Sequence, residues 1–310
     1  MTEDLPIAAV LGSVVEAVRD AGACVVQAPP GAGKTTQVPL ALDAAGVVQG
    51  KILMLEPRRV AARAAAERLA ELLGEAPGGA VGYRMRGASV AGARIEVITE
   101  GILTRMLQSD PELSGVGCVI FDEFHERALQ ADLGLALVLE VRGALREDLA
   151  VVAMSATLDA GFVAGLMGDA PVVTSEGRAF PVETRYLERP LGPGTLVGRG
   201  FVSGAMDLVQ RAAVETDGDM LVFLPGQGEI NRVASELKIE AEVVPLHGGL
   251  PFKAQRAALR PGEGRRVVLA TAIAATSLTI PGVRVVVDCG RARRARLEPA
   301  TGMSRLVTER

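Results

Sequence analysis

Nine short apolar runs, spaced so that helical patterns fall between them, restrict this chain to very few folds. They are "CVVQAP", "KILMLEP", "RIEVIT", "CVIFDE" and "LAVVAMSAT", then "MLVFLPG", "EVVPLHG", "RRVVLAT" and "RVVVDCG". Each is apolar at successive positions, as a strand covered on both faces must be, and stretches such as "VAARAAAERLAELLG" and "INRVASELK" carry the helical period between them. Strands buried on both faces and alternating with helices specify an α/β fold with parallel sheets. With 310 residues, 49% of them hydrophobic, the chain is long enough for two cores. The alternation pauses once, between Ser175 and Gly200, in a segment rich in Pro, Gly and charge, and the expected domains are residues 1–176 and 177–310.

Composition narrows the setting. No apolar run approaches the roughly 18 residues that a membrane span needs, and the opening "MTEDLPIAAV" is acidic where a secretory leader is basic, so a soluble cytoplasmic chain without membrane attachment is expected. The three cysteines form no Cys-x-x-Cys pair, and Cys24 and Cys118 lie within apolar runs, as core thiols do. The net charge of −4 gives no global basic field, so a nucleic-acid surface would be a local patch.

The chemistry begins at "APPGAGKTT", Ala28 to Thr36. Gly31 and Gly33 let the backbone N–H groups of Gly31, Ala32 and Gly33 turn inward around a phosphate, and Lys34 adds a cation for the β and γ oxygens. Thr35 offers a hydroxyl to Mg²⁺, and the helix opening there, with Thr36 in its first turn, aims its positive end at the same anion. A triphosphate held this way brings magnesium, which requires a carboxylate from a neighbouring strand end. "VIFDEFHERAL" supplies it: Asp122 is placed for the metal and Glu123, one residue on, for activating a water. His125 is grouped with these acids, since a chain with two histidines, and with its nearest cysteine, Cys118, inside the apolar run, makes a zinc site there a poor reading. Arg58 and Arg59 open a helix after Pro57, where a cation opposes the helix dipole unless an anion is bound, and so read as phosphate contacts.

"DEFH" resembles the acidic box of the DEAH/DExH helicases of superfamily 2, and "GAGKTT", "EPRRVAAR", "TEGILTRM", "DEFHER", "MSATLD" and "TSLTIPGV" follow that family's order over nearly the whole chain. "VGYRMR", "DPELSGVG" and "DEFHERALQADL" are similar to the bacterial HrpB type within it. The resemblance implies two RecA-like phosphate-loop domains, ATP (or another NTP) with Mg²⁺ bound between them, and movement along nucleic acid. Single-stranded RNA is the implied partner, DNA a further option, and the motor is expected to be monomeric. It implies nucleotide contacts for Arg127, stacked on the base, and for Ser155, Thr157 and Thr276; it implies nucleic-acid contacts for Arg58, Arg59, Thr99, Gly101, His247, Gly248 and Thr271. Thr99 also reads as a simple helix N-cap, Ser155 and Thr157 as turn hydroxyls, and Arg127 as an exposed helix-start arginine.

Three departures from the family pattern qualify these expectations. Ala272 and Ala275 stand where the family carries Asn and Glu, so coupling between nucleic acid and nucleotide is expected to be weaker. The chain has no Trp and two Tyr, so backbone contacts rather than stacking on aromatics should dominate. The arginine motif of the form QRxGRxGR does not occur before Arg310, and Arg291, Arg293, Arg294 and Arg296 lack its Gln and Gly, reading instead as a solvated basic strand edge. Slow ATP hydrolysis by a trimmed motor is the expectation that follows. A nucleotide-gated RNA-binding module without productive unwinding is the alternative; a small-molecule kinase is disfavoured by the second α/β half.

Overall fold

The computed structural model describes residues 5–156, 160–177, 181–187, 198–272 and 280–309, which form two compact units, Met1–Pro181 and Val182–Arg310. In the first unit the strands are β1 (Ala23–Gln27), β2 (Lys51–Glu56), β3 (Val81–Met85), β4 (Ala88–Val90), β5 (Ile95–Thr99), β6 (Val116–Phe121), β7 (Ala150–Ser155) and β8 (Val172–Thr174). They make one sheet in the order β4-β3-β5-β2-β6-β7-β1-β8, parallel throughout except for the β3–β4 hairpin at one edge. Helices α1 (Leu11–Ala21), α2 (Lys34–Ala44) and α3 (Arg59–Leu72) supply one core, with Val14, Val38 and Leu69 packing with Cys24, Val26, Ile52, Met54 and Ile120. Helices α4 (Glu100–Ser109), α5 (Leu129–Ala144) and α6 (Ala160–Leu166) supply the other, with Leu103, Leu135 and Val163 packing with Val25, Leu53, Leu55, Val119 and Phe121. Odd and even residues of β1, β2 and β7, and of β6 from Cys118 onward, thus go to opposite cores, which is why β6 and β7 are buried at every position.

All nine apolar runs of the sequence are strands. Not read from the sequence were β3 and β4, where Gly82 and Arg84 interrupt the apolar pattern, and the three-residue edge strand β8.

In the second unit β9 (Asp219–Phe223), β10 (Glu242–Leu246), β11 (Arg266–Ala270) and β12 (Val283–Asp288) form a parallel sheet in the order β10-β11-β9-β12. Helices α7 (Gly198–Glu215) and α8 (Gln227–Glu236) pack on the face carrying Met220, Val222 and Leu269, while α9 (Phe252–Leu259) contributes Ala258 to the cluster of Leu221, Leu246 and Val268. The basic segment expected as a solvated strand edge is an antiparallel hairpin, β13 (Ala292–Glu298) and β14 (Met303–Glu309). Three of its arginines are held by acids: Arg296 by Glu309, Arg293 by Glu229 and Arg305 by Glu298.

The amino ends of β9 and β11 are tied by two adjacent arginines. Arg266 is 2% exposed and donates to Asp219 through Nε at 2.9 Å and Nη2 at 2.8 Å, and to the carbonyls of Arg260 and Pro281. Arg265 donates to the carbonyls of Ala213, Thr216 and Gly218, satisfying oxygens at the end of α7 and in the turn that follows. A guanidinium buried this deeply depends on its carboxylate. Asp219→Ala should therefore lower the stability of the second unit by about 3–5 kcal/mol, the cost of stranding one member of a buried pair. Urea denaturation followed by circular dichroism checks it; a midpoint within error of wild type would show that Asp219 contributes nothing net.

Candidate nucleotide site

In open parallel sheets the carboxyl ends of the strands are where loops are free to carry chemistry. Four of the segments singled out in the sequence leave from those ends in the first unit: Ala28–Gly33 after β1, Glu56–Arg59 at β2, Asp122–Arg127 after β6, and Ser155 at the end of β7. The phosphate loop is shaped by two glycines in the left-handed region, Gly31 at φ 77° and Gly33 at φ 94°, which a side chain rarely adopts. Its inner side is backed by the segment Pro6–Val10, where the N–H of Ile7 donates to the carbonyl of Ala32 at 3.1 Å. The helix α2 starts at Lys34, and Thr36 closes its first turn by donating Oγ1 to the carbonyl of Gly33 at 3.3 Å.

The loop and the acidic box meet directly. Thr35 Oγ1 donates to Asp122 Oδ2 at 2.5 Å, and Lys34 Nζ lies 3.2 Å from Glu123 Oε1, with Lys34 and Glu123 both buried. Asp122 Oδ1 accepts the N–H of Glu123 at 2.8 Å, which fixes its carboxylate at the strand end. Glu123 then enters the left-handed region at φ 50°, and a short 3₁₀ turn, Phe124–Glu126, follows before Arg127 does the same at φ 49°. Non-glycine residues held there store strain of order 1–3 kcal/mol each, a cost that clusters at functional sites.

His125 lies inside this turn. Its Nδ1 accepts the N–H of Ala156 at 3.3 Å, which leaves the Nε2 hydrogen facing Glu123 Oε2 at 3.4 Å. Glu123 is therefore gripped by Lys34 on one oxygen and His125 on the other. Burial, and then the neighbouring Asp122 carboxylate, push its pKa above the ordinary glutamate range, while Lys34 and His125 pull it back.

Glu56, the last residue of β2, is a third acid that sequence reading passed over. It is 1% exposed and its Oε2 finds no donor. Its carboxyl lies in hydrogen-bonding contact with that of Asp122, two acceptors face to face unless one holds a proton. Burial first, then Asp122, raise its pKa well above the usual range, so Glu56 is the acid that keeps the proton. The signal that could have found it is the one that exposed Asp122: an acid ending an apolar run, here "KILMLEP".

The other expected residues are placed less closely. Arg58 is the N-cap of α3 and donates Nη2 to Glu126 at 3.3 Å, while Arg59 is exposed. Thr99 is the N-cap of α4 with no side-chain capping bond, and Gly101 is exposed in that helix's first turn. Arg127 is exposed, is bound by Asp132 at 3.1 and 3.2 Å and packs its guanidinium against the rings of Phe124 and Phe162. Ser155 is buried, and its carbonyl accepts the N–H of Ala28 at 3.0 Å, linking β7 to the phosphate loop. In the second unit His247 is buried, Gly248 is exposed, and Thr271 follows β11. Burial lowers the pKa of His247, and its Nδ1 accepts the N–H of Gly249 at 3.2 Å. Thr157, Ala275 and Thr276 lie outside the described residues.

Magnesium fits this arrangement. Three carboxyl groups crowd a single lysine, and Asp122 and Thr35 present oxygens side by side. No cluster of three or more His, Cys, Asp or Glu side chains able to cage a metal occurs among the described residues, and Mg²⁺ ordinarily takes only one or two protein ligands alongside phosphate and water.

A phosphate loop between a parallel strand and a helix, joined to a carboxylate at the end of β6, one strand removed across β7, defines the phosphate-loop NTPase class, here as two RecA-like domains. A family model described as DEAD/DEAH box helicase matches residues 12–164, and one described as helicase conserved C-terminal domain matches residues 204–300. The chain belongs to the DEAD/DEAH box helicase family. It is 52% identical to the ATP-dependent RNA helicase HrpB of Escherichia coli (strain K12), over 99% of this chain and 38% of that protein. It is 35% identical to the ATP-dependent RNA helicase HrpA of the same organism, over 99% of this chain and 24% of that protein. The crystal structure of Escherichia coli DEAH/RHA helicase HrpB superposes with a TM-score of 0.91 at 51% identity, covering 99% of this chain and 40% of that one. The chain thus spans well under half the length of these relatives. No helix among the described residues is long and apolar enough to cross a membrane.

The Glu56 proton has a measurable consequence. A carboxyl whose folded pKa is raised binds a proton on folding at any pH between its ordinary and its folded value, so the stability of the fold declines as pH rises through that window. Glu56→Gln keeps the shape and removes the titration. In metal-free buffer the variant should be more stable than wild type near neutral pH, with the difference shrinking toward pH 4. Denaturation midpoints across that range test this, and a variant less stable than wild type at pH 7 would contradict it.

Proposed function

We propose that this chain is the nucleotide-hydrolysing motor core of an ATP-dependent RNA helicase, working with Mg²⁺. The observation that carries the reading is the meeting of Lys34 and Thr35 with Asp122 and Glu123 at the carboxyl edge of the sheet. The names of its relatives HrpB and HrpA support the choice of ATP and RNA.

The loop N–H groups of Gly31, Ala32 and Gly33 cradle the phosphates, with the amino end of α2 adding its dipole and Thr36 bracing the turn. Lys34 faces the β and γ oxygens. It cannot do so and keep its full bond to Glu123, so an incoming triphosphate takes the lysine and leaves Glu123 held by His125. Thr35 and Asp122 would hold Mg²⁺, which when bound neutralises charge building on the transferred phosphoryl group. Glu123, its basicity raised by burial and by Asp122, orients the attacking water and accepts its proton. Arg127 offers its tethered guanidinium to the base, and Ser155, Thr157 and Thr276 attend the nucleotide. Arg58, Arg59, Thr99, Gly101, His247, Gly248 and Thr271 provide backbone-directed contacts to single-stranded nucleic acid, which read no sequence.

The direct test is ATP hydrolysis by this chain with and without single-stranded RNA and DNA. Stimulation by RNA supports the motor reading, whereas nucleotide binding without stimulated turnover favours a clamp. Glu123→Gln should leave ATP affinity in place and lower turnover by roughly 10² to 10⁴, the range for a positioned general base, while Lys34→Ala should weaken binding itself. Equal loss of affinity in both variants would contradict the separate roles.

A further inference from the structure

Glu126 has no part in the chemistry above, yet it connects two of its components. Its Oε2 lies 3.3 Å from Nη2 of Arg58, with side-chain exposures of 19% and 25%, so the pair is half-buried and only partly screened. Arg58 caps α3 at the end of β2, where a phosphate contact is proposed. Glu126 is the last residue of the 3₁₀ turn that begins beside Glu123, and its N–H donates to the carbonyl of Glu123 at 2.9 Å. Both flanks of the turn, Glu123 and Arg127, are in the left-handed region, so the turn has little freedom to absorb a displacement locally. Glu126 cannot move far without moving the backbone of Glu123.

The surroundings make Glu126 an unfavourable neighbour for nucleic acid. Glu100, the first residue of α4 beside Thr99, has its pKa raised by burial and then by Glu126 and Asp132, which places three acids where phosphate is expected to approach. A phosphate arriving at Arg58 meets a carboxylate already holding that arginine.

We propose that Glu126 is a positioning residue that competes with nucleic-acid phosphate for Arg58 and transmits the outcome to Glu123 through the turn they share. The proposal rests on the reading of Arg58 as a phosphate contact. With no nucleic acid present, the Arg58 pair anchors the turn. When phosphate takes Arg58, Glu126 loses that ion pair and the strained turn resets, carrying Glu123 with it. Because coupling of this kind is reciprocal, nucleotide at Lys34 would in turn alter the hold on Arg58.

The test uses the full chain, a fluorescent oligouridylate and a fluorescent ATP analogue, with binding as the readout. Glu126→Gln removes the competitor and should tighten oligouridylate binding about two- to fivefold, the range for a partly exposed ion pair. The factor by which saturating oligouridylate changes affinity for the ATP analogue should fall toward one, which a merely structural role would not require. Arg58→Gln should weaken oligouridylate binding and flatten the dependence of log affinity on log salt by roughly 0.7, one phosphate contact on a single strand. If Arg58→Gln behaves so but Glu126→Gln binds no tighter than wild type, the competition is refuted and the phosphate reading stands. If Arg58→Gln changes neither affinity nor slope, the phosphate reading falls and the proposal with it. Should Glu126→Gln fail to fold, Glu126→Asp, which keeps the charge and shortens the reach, carries the same test: tighter binding is expected, and equal or weaker binding overturns the proposal.

Discussion

Asp122 and Glu123 sit side by side at the end of a strand that is buried along its whole length, with a third acid, Glu56, at the end of the next strand. Carboxylates removed from water in this way destabilise a fold unless donors and cations surround them. The first unit meets that demand locally. Thr35 and the N–H of Glu123 serve Asp122, Lys34 and His125 serve Glu123, and Glu56 keeps its proton. Each partner belongs to the phosphate loop, the strand end or the turn that the proposed chemistry uses, so stability and function draw on the same contacts.

This dependence explains why the acidic box adopts strained backbone. Gly31 and Gly33 accept positive φ without cost, but Glu123 and Arg127 do not, and their strain is held by Asp122, His125 and the Asp132 tether. A turn fixed at so many points can relay a displacement. That property, rather than any single bond, gives the Arg58–Glu126 pair its proposed influence on Glu123.

The central strands, both α/β halves and the phosphate loop were legible in the sequence because each is written locally, as an unbroken apolar run or a fixed spacing of Gly, Lys and Thr. Edges were harder. In β3 a glycine and an arginine break the run, and in the β13–β14 hairpin apolar positions alternate with arginines, so its strands read as solvated charge. Within the site, Lys34, Thr35, Asp122 and Glu123 were identified from motif position, whereas Glu56 and Glu126 were not. What those two acids do depends on which residues the sheet order brings beside them, β2 next to β6, and no local pattern records a neighbour across the sheet.

The central claim is that Asp122, paired with Thr35, is where magnesium meets the nucleotide. Equilibrium binding of ATP to this chain, measured with Mg²⁺ and with the metal chelated, tests it most directly. Wild type should bind ATP more tightly with Mg²⁺ than without, and Asp122→Asn should erase most of that difference while still binding the metal-free nucleotide through the loop. An equal gain from Mg²⁺ in the Asp122→Asn variant would contradict the account and place the metal elsewhere.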